Sequence, residues 1–378
     1  MDDKRALLRD SGLRTRAQAI AKAKEIVNAL NEVVLHIAIT GETGVGKSSF
    51  VNAIRGVQRG DEGWAPTGVT ETTMEPKEYP HPSMPNVRIW DLPGIGTSRF
   101  KAKTYMKDVK FETYDFFIIV SSQRFKENDL KLATEIKKNN KKFYFVRSKI
   151  DSDMANEGVK EKRMEEKVLL KIRKDCEDHL RKLGQPPIFL ISSFNLSKYD
   201  FPTLVETLKR DLPSEKRNAL EQSLPVYSMQ SLNDKYSAFK ETIWALAVVS
   251  AIGAGPLPGL SVAVDTAMVL SFLTKVYHSF GLDDKTLEKL SNRMNKPIRE
   301  EVKKSKLIQE IGGTRLASTM LRKAGAEAAI EVLSCVVPVV GNVAAAGLSF
   351  VTTRAVLQEG LDELYGVAKK VLEMANLQ

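Results

Sequence analysis

The fold of this chain is decided by an eight-residue segment, Gly41-Glu42-Thr43-Gly44-Val45-Gly46-Lys47-Ser48. It has the pattern G-x-x-x-x-G-K-S. The apolar run before it, residues 33–40, predicts a buried strand, and residues 49–55 after it have the composition of a helix. A strand, a glycine loop and a helix in this order are typical of a P-loop that binds the phosphates of a nucleotide.

The residue types of this loop suit an anionic ligand. Gly41, Gly44 and Gly46 allow tight turns in which successive backbone N–H groups point at phosphate oxygens. We expect Lys47 to contact the β- and γ-phosphates and the Ser48 hydroxyl to bind Mg²⁺, so both are candidate catalytic residues. The remaining loop residues and the helix start are expected to contact the nucleotide as well: Glu42, Thr43, Val45 and Ser49.

A second motif, Asp91-Leu92-Pro93-Gly94, follows the strand-like run 87–90 about forty residues later. An acidic residue at this strand end is expected to hold Mg²⁺, usually through water. Gly94 can donate its backbone N–H to the γ-phosphate. The spacing from the P-loop makes the pair of motifs much more specific than either alone.

Between the two motifs, residues 65–73 form a threonine-rich loop that predicts a switch segment. Its threonines at 67, 70, 72 and 73 could each reach Mg²⁺ and the γ-phosphate, and the residues themselves do not choose among them. We carry Thr67 as the candidate Mg²⁺ ligand, and Glu71 and Thr73 as candidate catalytic residues.

The base is expected to be read by Asp151, which comes shortly after the strand-like run 143–146. A carboxylate there accepts hydrogen bonds from guanine N1 and N2, a donor pair that adenine lacks, and Lys149 can lie along the base plane. Ser148 stands where this motif usually has Asn or Thr, so we expect weaker support for the P-loop. Ser192 and Ser193 are expected to form the loop over the guanine oxygen, although Phe194 departs from the usual Ser-Ala-Lys.

Hydrolysis is expected to need help from a partner. Ile95 follows Gly94, where Ras-type GTPases have the glutamine that positions water. A partner or a second copy must then supply the missing group, and an added arginine can raise the rate by about 10³–10⁵. Arg124 is the candidate donor.

The order of elements predicts an α/β domain followed by a helical one. Apolar strand-like runs alternate with charged helical segments up to Pro213, which indicates a mostly parallel sheet with helices on both faces. We therefore predict a GTPase (G) domain of the Ras-like fold at 32–213. Residues 1–31 and 214–378 are predicted to be helical.

Two uncharged stretches, 242–264 and 332–353, stand out in the helical part. Each has about the length of a transmembrane helix, but each is broken by glycine and proline. Burial in a helical core and insertion into lipid both remain open.

The composition excludes several classes of protein. Two cysteines and four scattered histidines exclude a disulfide framework and give no spacing for a transition-metal site. The net charge of +10 favours an anionic contact, but the densest lysine run, residues 137–142, fits a helix end, so we expect no nucleic-acid partner. The N-terminus shows no secretory signal, which predicts a cytoplasmic protein, and it lacks the glycine at position 2 that myristoylation requires, so we expect any membrane contact to come from elsewhere in the chain.

Several motifs resemble the immunity-related (interferon-inducible p47) GTPases. The resemblance is close over residues 32–215 and weaker at 280–284. It is carried by these segments: residues 41–50, 86–96, 114–119, 143–147, 186–190 and 199–202. With Lys47 in its P-loop, the chain resembles the effector-type members of that family.

The resemblance implies a Ras-like domain on a helical domain made from both chain ends. It implies binding of GTP and GDP, a GTP-dependent homodimer or homo-oligomer with facing nucleotide sites, and contacts with related GTPases. Action at the intracellular membrane of pathogen-containing vacuoles is the implied role, and a nucleotide-gated membrane scaffold with negligible hydrolysis is the alternative. The residues that the resemblance implies near the dimer interface are Glu42, Thr67, Glu71, Thr73, Thr97 and Arg124.

Overall fold

A computed structural model describes residues 33–68, 75–82, 84–94, 102–122, 125–253, 260–312 and 350–377, with single positions at 18, 21 and 23. The chain forms two compact units. The first unit is Val34–Leu224, and the described residues outside this range belong to the second. The part of the predicted switch loop 65–73 from residue 69 onward, residues 95–101, Arg124, residues 254–259 of the stretch 242–264 and most of the stretch 332–353 lie outside the described residues.

The first unit is built on a six-stranded sheet. Its strands are β1 (Leu35–Thr40), β2 (Lys77–Pro80), β3 (Val87–Asp91), β4 (Phe116–Ser121), β5 (Phe143–Arg147) and β6 (Ile188–Leu190). The strand order is β2-β3-β1-β4-β5-β6, and all neighbours are parallel except β2 and β3. All six residues of β4 are buried, as expected for a strand covered on both faces. The predicted Ras-like α/β fold is confirmed.

The edge strand β2 was not predicted from the sequence. It is four residues long, only Tyr79 in it is buried, and it ends at Pro80, so it carries no apolar run. Proline and short polar strands are tolerated at a sheet edge because one row of backbone groups is left unpaired there.

Helices connect the strands of this unit. They are α1 (Lys47–Ile54), α2 (Ala102–Asp108), α3 (Glu127–Lys138), α4 (Ile150–Asn156), α5 (Lys162–Leu180), α6 (Phe201–Asp211) and α7 (Ser214–Ser223). The unit extends beyond the predicted end at Pro213, because α7 packs on β1 and β3 and buries Ala219 and Leu220. The helical composition of α7 had placed it with the second domain.

The second unit is helical where it is described. Its helices are α8 (Met229–Gly253), α9 (Leu260–Ser279), α10 (Asp284–Met294), α11 (Ile298–Val302), α12 (Lys306–Gly312) and α13 (Phe350–Met374). Helix α13 packs along α8 and α9, and its Gly360 allows a close approach: a Cβ there would lie 2.5 Å from Leu273 Cδ2. Among the described helices, none combines the length and the apolar character that a bilayer span requires.

Candidate nucleotide site

The loop between β1 and α1 depends on its glycines. Gly41, Gly44 and Gly46 have φ values of 141°, 81° and 98°, which L-residues with a side chain rarely adopt. A Cβ on Gly41 would lie 2.0 Å from the Val120 carbonyl oxygen, so β4 leaves no space for one. Gly46 is the N-cap of α1, and the positive end of that helix faces the loop.

Lys47 and Ser48 begin α1 and connect the loop to β3. The Lys47 side chain is buried, and its ammonium group donates to the Glu42 carbonyl oxygen at 2.9 Å. Ser48 Oγ donates to Asp91 Oδ2 at 2.6 Å. Asp91 is fully buried at the carboxyl end of β3. Two of the three residues predicted to bind Mg²⁺ are therefore in direct contact.

Gly94 lies against the same loop. A Cβ on Gly94 would be 2.4 Å from Thr43 Oγ1 and 2.9 Å from Thr43 N. Only glycine fits this approach without movement of the loop. The segment after β3 thus reaches the P-loop at the point where a terminal phosphate would lie.

Ser148 links the loop after β5 to the P-loop. Its hydroxyl is buried within 2.6 Å of the Val45 carbonyl oxygen and 2.9 Å of the Ser121 carbonyl oxygen, so its one proton is shared between two acceptors. Serine therefore does tie the loop after β5 to the P-loop, while weaker support than Asn or Thr would give stays a prediction. Ser148 N also donates to Ser121 O at 2.7 Å.

Lys149 forms a second link between these loops. It adopts a left-handed conformation (φ 61°), and its ammonium group donates to the Gly44 carbonyl oxygen at 2.7 Å. Its side chain consequently runs across the end of the sheet towards the P-loop. This course suits a side chain that is predicted to lie along a base.

Asp151 has an unpaired carboxylate oxygen. Its Oδ1 is buried and has no hydrogen-bond partner among the described residues. Buried carboxylate oxygens are normally paired, so this atom indicates a missing donor. Asp153, in the same helical turn, is by contrast paired with Arg147 at 2.7 Å.

The loop after β6 brings Ser192 and Ser193 to this end of the sheet. Ser192 is fully buried, and its Oγ accepts from Phe194 N at 3.2 Å. The Phe194 side chain is 77% exposed. Phe194, which stands where the usual motif has a lysine, therefore does not belong to the core.

The comparisons with known proteins agree with this geometry. A family model described as "Interferon-inducible GTPase (IIGP)" matches residues 8–371. The chain belongs to the interferon-inducible GTPase family. It is a GTPase, and the resemblance to immunity-related GTPases is confirmed.

Relatives of this GTPase align over most of its length. "Interferon-inducible GTPase 5" of Rattus norvegicus is 40% identical over 364 residues, which are 94% of this chain and 78% of that protein. "Interferon-gamma-inducible GTPase 10" of Mus musculus is 38% identical over 363 residues, covering 94% and 85%. The solved structure of Toc33 from Arabidopsis thaliana with Mg²⁺ and GMPPNP has a TM-score of 0.32 and 14% identity, covering 46% and 77%. The family assignment rests on the family model and the two relatives.

Two polar residues of this GTPase were missed by sequence reasoning. The Glu42 carboxylate accepts from the Lys126 ammonium and from Asn128 Nδ2, the latter at 2.8 Å. The hydrogen bond to Glu42 raises the pKa of Lys126. Both partners stand at the start of α3, where Asp129 accepts the Lys126 backbone N–H. Their position at the predicted start of a helix, directly after a strand of the sheet, was the sequence feature that could have indicated these two residues.

The structure brings together most but not all of the predicted site residues. The P-loop, Asp91, Gly94, Lys149, Asp151 and the 192–193 loop lie at the carboxyl ends of β1, β3, β5 and β6. Thr67 is described and exposed. Glu71, Thr73, Thr97 and Arg124 lie outside the described residues, so their predicted roles stay predictions.

Proposed function

We propose that this interferon-inducible GTPase binds GTP and GDP with Mg²⁺ in the loop 41–48 and self-assembles in the GTP state. Hydrolysis is activated across a dimer of facing G domains. The observation that carries the nucleotide site is the convergence of three separate motifs on one loop. Ser48 contacts Asp91, Gly94 abuts Thr43, and Lys149 contacts Gly44.

The phosphates are bound by the backbone and by Lys47. The left-handed glycines turn loop N–H groups inward, and the start of α1 adds a favourable dipole for anions. The Lys47 ammonium exchanges the Glu42 carbonyl oxygen for β- and γ-phosphate oxygens. This exchange costs little because one oxygen acceptor replaces another within reach of the same side chain.

The residues present fit Mg²⁺. Ser48 Oγ and Asp91 Oδ2 are hard oxygen donors 2.6 Å apart, and both would hold Mg²⁺, Ser48 directly and Asp91 usually through water. Mg²⁺ takes one or two carboxylates and completes its shell with water and phosphate oxygens, so no cluster of three acidic side chains is needed. Bound Mg²⁺ neutralises charge on the phosphates, and Thr67 is the candidate for a further ligand.

Guanine specificity is assigned to Asp151. Its buried, unpaired Oδ1 is an acceptor that guanine N1–H or N2–H₂ satisfies. Adenine offers no such donor pair, so it would leave the carboxylate unpaired. Lys149 lies along the base, and Ser192 and Ser193 form the loop over its oxygen.

Activation across a dimer is proposed because the chain has Ile95 where Ras-type GTPases have the glutamine that positions water. Ile95 cannot orient a water molecule, so a second copy must complete the site. Glu42, whose carboxylate is held by Lys126 and Asn128, and the exposed Thr67 belong to the proposed interface. Glu71, Thr73, Thr97 and Arg124 are proposed there with them, and Arg124 is the candidate for the added positive charge.

The proposed place of action is the cytoplasmic face of intracellular membranes, above all those of pathogen-containing vacuoles. The family supports a role in immunity, and the net charge of +10 supports contact with anionic lipid headgroups. Related GTPases are proposed as further partners. Contact with the membrane is peripheral.

The test is GTP turnover per protein molecule over a hundredfold range of protein concentration, with Lys47→Ala as control. We expect specific activity to rise with concentration and to vanish in the variant. A constant, measurable specific activity would refute activation by a second copy. Binding of GTP without turnover at any concentration would favour the nucleotide-gated scaffold instead.

A further inference from the structure

Tyr105 joins the two phosphate-contacting segments through one buried hydroxyl. It lies on α2, and its Oη is 2.5 Å from Thr40 Oγ1 and 3.0 Å from the Pro93 carbonyl oxygen. Thr40 is the last residue of β1, directly before Gly41, and Pro93 directly precedes Gly94. Thr40 and Tyr105 are both fully buried.

The direction of these hydrogen bonds is fixed by their chemistry. The Pro93 carbonyl can only accept, so the phenol donates its single proton to Pro93. Thr40 Oγ1 then donates to the phenol oxygen. Burial raises the pKa of Tyr105 far above its usual value, so the phenol keeps its proton across the physiological range.

The bond to Pro93 also determines where the Gly94 N–H points. The carbonyl of Pro93 and the N–H of Gly94 belong to one planar peptide unit, in which the two groups point in opposite directions. A carbonyl held on Tyr105, inside the core, therefore directs the N–H away from the core. A Cβ on Gly94 would lie 2.4 Å from Thr43 Oγ1, so this peptide unit stands next to the P-loop that is proposed to hold the phosphates.

We propose that Tyr105 is a positioning residue that orients the Gly94 N–H towards the γ-phosphate, with Thr40 holding the phenol in place. The inference rests on the proposed nucleotide site but goes beyond it. Since the oriented N–H contacts only the third phosphate, Tyr105 contributes to the preference for a triphosphate over a diphosphate. A residue that merely fills the core would affect both nucleotides alike.

The experiment compares Tyr105→Phe with wild-type protein in the binding of GMPPNP and of GDP, both with Mg²⁺. The ring and its packing stay, and only the hydroxyl is lost. We expect binding of GMPPNP to weaken about 10-fold. Without the phenol hydroxyl the Pro93–Gly94 peptide unit is no longer held in place, so the Gly94 N–H loses part of its charge-assisted hydrogen bond to the γ-phosphate. Binding of GDP should change by less than about 2-fold, because GDP has no γ-phosphate for the N–H to contact.

Tyr114→Phe is the matched control. Tyr114 is also buried, and its hydroxyl donates to the Val109 carbonyl oxygen at 2.9 Å, away from the P-loop. We expect it to leave the ratio of the two dissociation constants unchanged. Thr40→Val is the second test, because it keeps the phenol but removes the group that holds it; we expect a smaller selective loss of GMPPNP.

Two outcomes would overturn the proposal: an unchanged ratio of the two dissociation constants in Tyr105→Phe, which includes an equal loss of both nucleotides, or the same selective loss in Tyr114→Phe. If Tyr105→Phe does not fold, an unchanged ratio in Thr40→Val overturns it. Failure of the nucleotide site itself is distinguishable, because wild-type protein would then bind neither GMPPNP nor GDP.

Discussion

Replacement of Asp151 by asparagine tests the base site most sharply. The Asp151 Oδ1 atom is buried without a hydrogen-bond partner among the described residues, so in the free protein its pairing capacity is unused. Guanine supplies two donors to this carboxylate, N1–H and one N–H of the 2-amino group. Asparagine has nearly the same shape but presents one acceptor and one donor group, so one donor of the base meets an amide N–H₂.

The expected loss follows from these two bonds. Hydrogen bonds to a charged group contribute about 1.5–3 kcal/mol each, so the pair contributes about 3–6 kcal/mol. Asparagine retains one neutral bond, and we therefore expect GDP to bind about 100-fold or more weakly, at the lower end of that range. Xanthine has a carbonyl in place of the 2-amino group, which the asparagine N–H₂ can satisfy, so XDP should bind the variant better than it binds wild-type protein.

The assay is titration calorimetry with GDP, XDP and ADP on wild type, Asp151→Asn and Asp153→Asn. Asp153 is the control because its carboxylate is paired with Arg147 and not with the proposed base. Its variant should lose some thermal stability but keep its preference for GDP. A folded Asp151→Asn protein that binds GDP within about 3-fold of wild type would refute the assignment, and so would one that gains no affinity for XDP.

Three further predictions concern the support of the loop, helix packing and the pH dependence of stability. Ser148→Ala should weaken GDP binding about 5- to 50-fold by leaving loop carbonyls unpaired, and Ser148→Thr should not; equal affinities in a calorimetric titration would contradict this. Gly360→Ala should be about 1–3 kcal/mol less stable to urea than Gly366→Ala, since only the first methyl meets a buried leucine; equal midpoints would contradict it. Burial lowers the pKa of His36 below 6.5, so the unfolded state binds its proton first and stability should fall as pH drops through 6.5; His36→Asn should flatten this decline in Tm, and an unchanged slope would count against it.

The G domain was predictable because its signals are local. β1, β3, β4, β5 and β6 were each marked by a continuous apolar run, and the glycine loop was marked by residue types that few other loops require. The proposed roles of Lys47, Ser48 and Asp91 follow from their spacing, and Ser48 does contact Asp91.

What could not be predicted depends on tertiary contacts. The strand β2 pairs only at an edge, and α7 has a helical sequence whose burial is decided by the sheet beneath it. The hydrogen bond from Ser148 to the Val45 carbonyl oxygen could not be predicted, because the distance to that carbonyl cannot be derived from residue type. Tyr105 carries no motif, and its role emerges only from the two oxygens that its hydroxyl reaches.

The most direct test of the central claim is phosphate release from GTP and from ATP, measured at high protein concentration with Mg²⁺ for wild type and Lys47→Ala. We predict that wild-type protein releases phosphate from GTP, that ATP at the same concentration gives no release above background, and that Lys47→Ala releases none from either. Equal turnover of ATP would contradict the base site, and turnover that persists in Lys47→Ala would contradict the phosphate site.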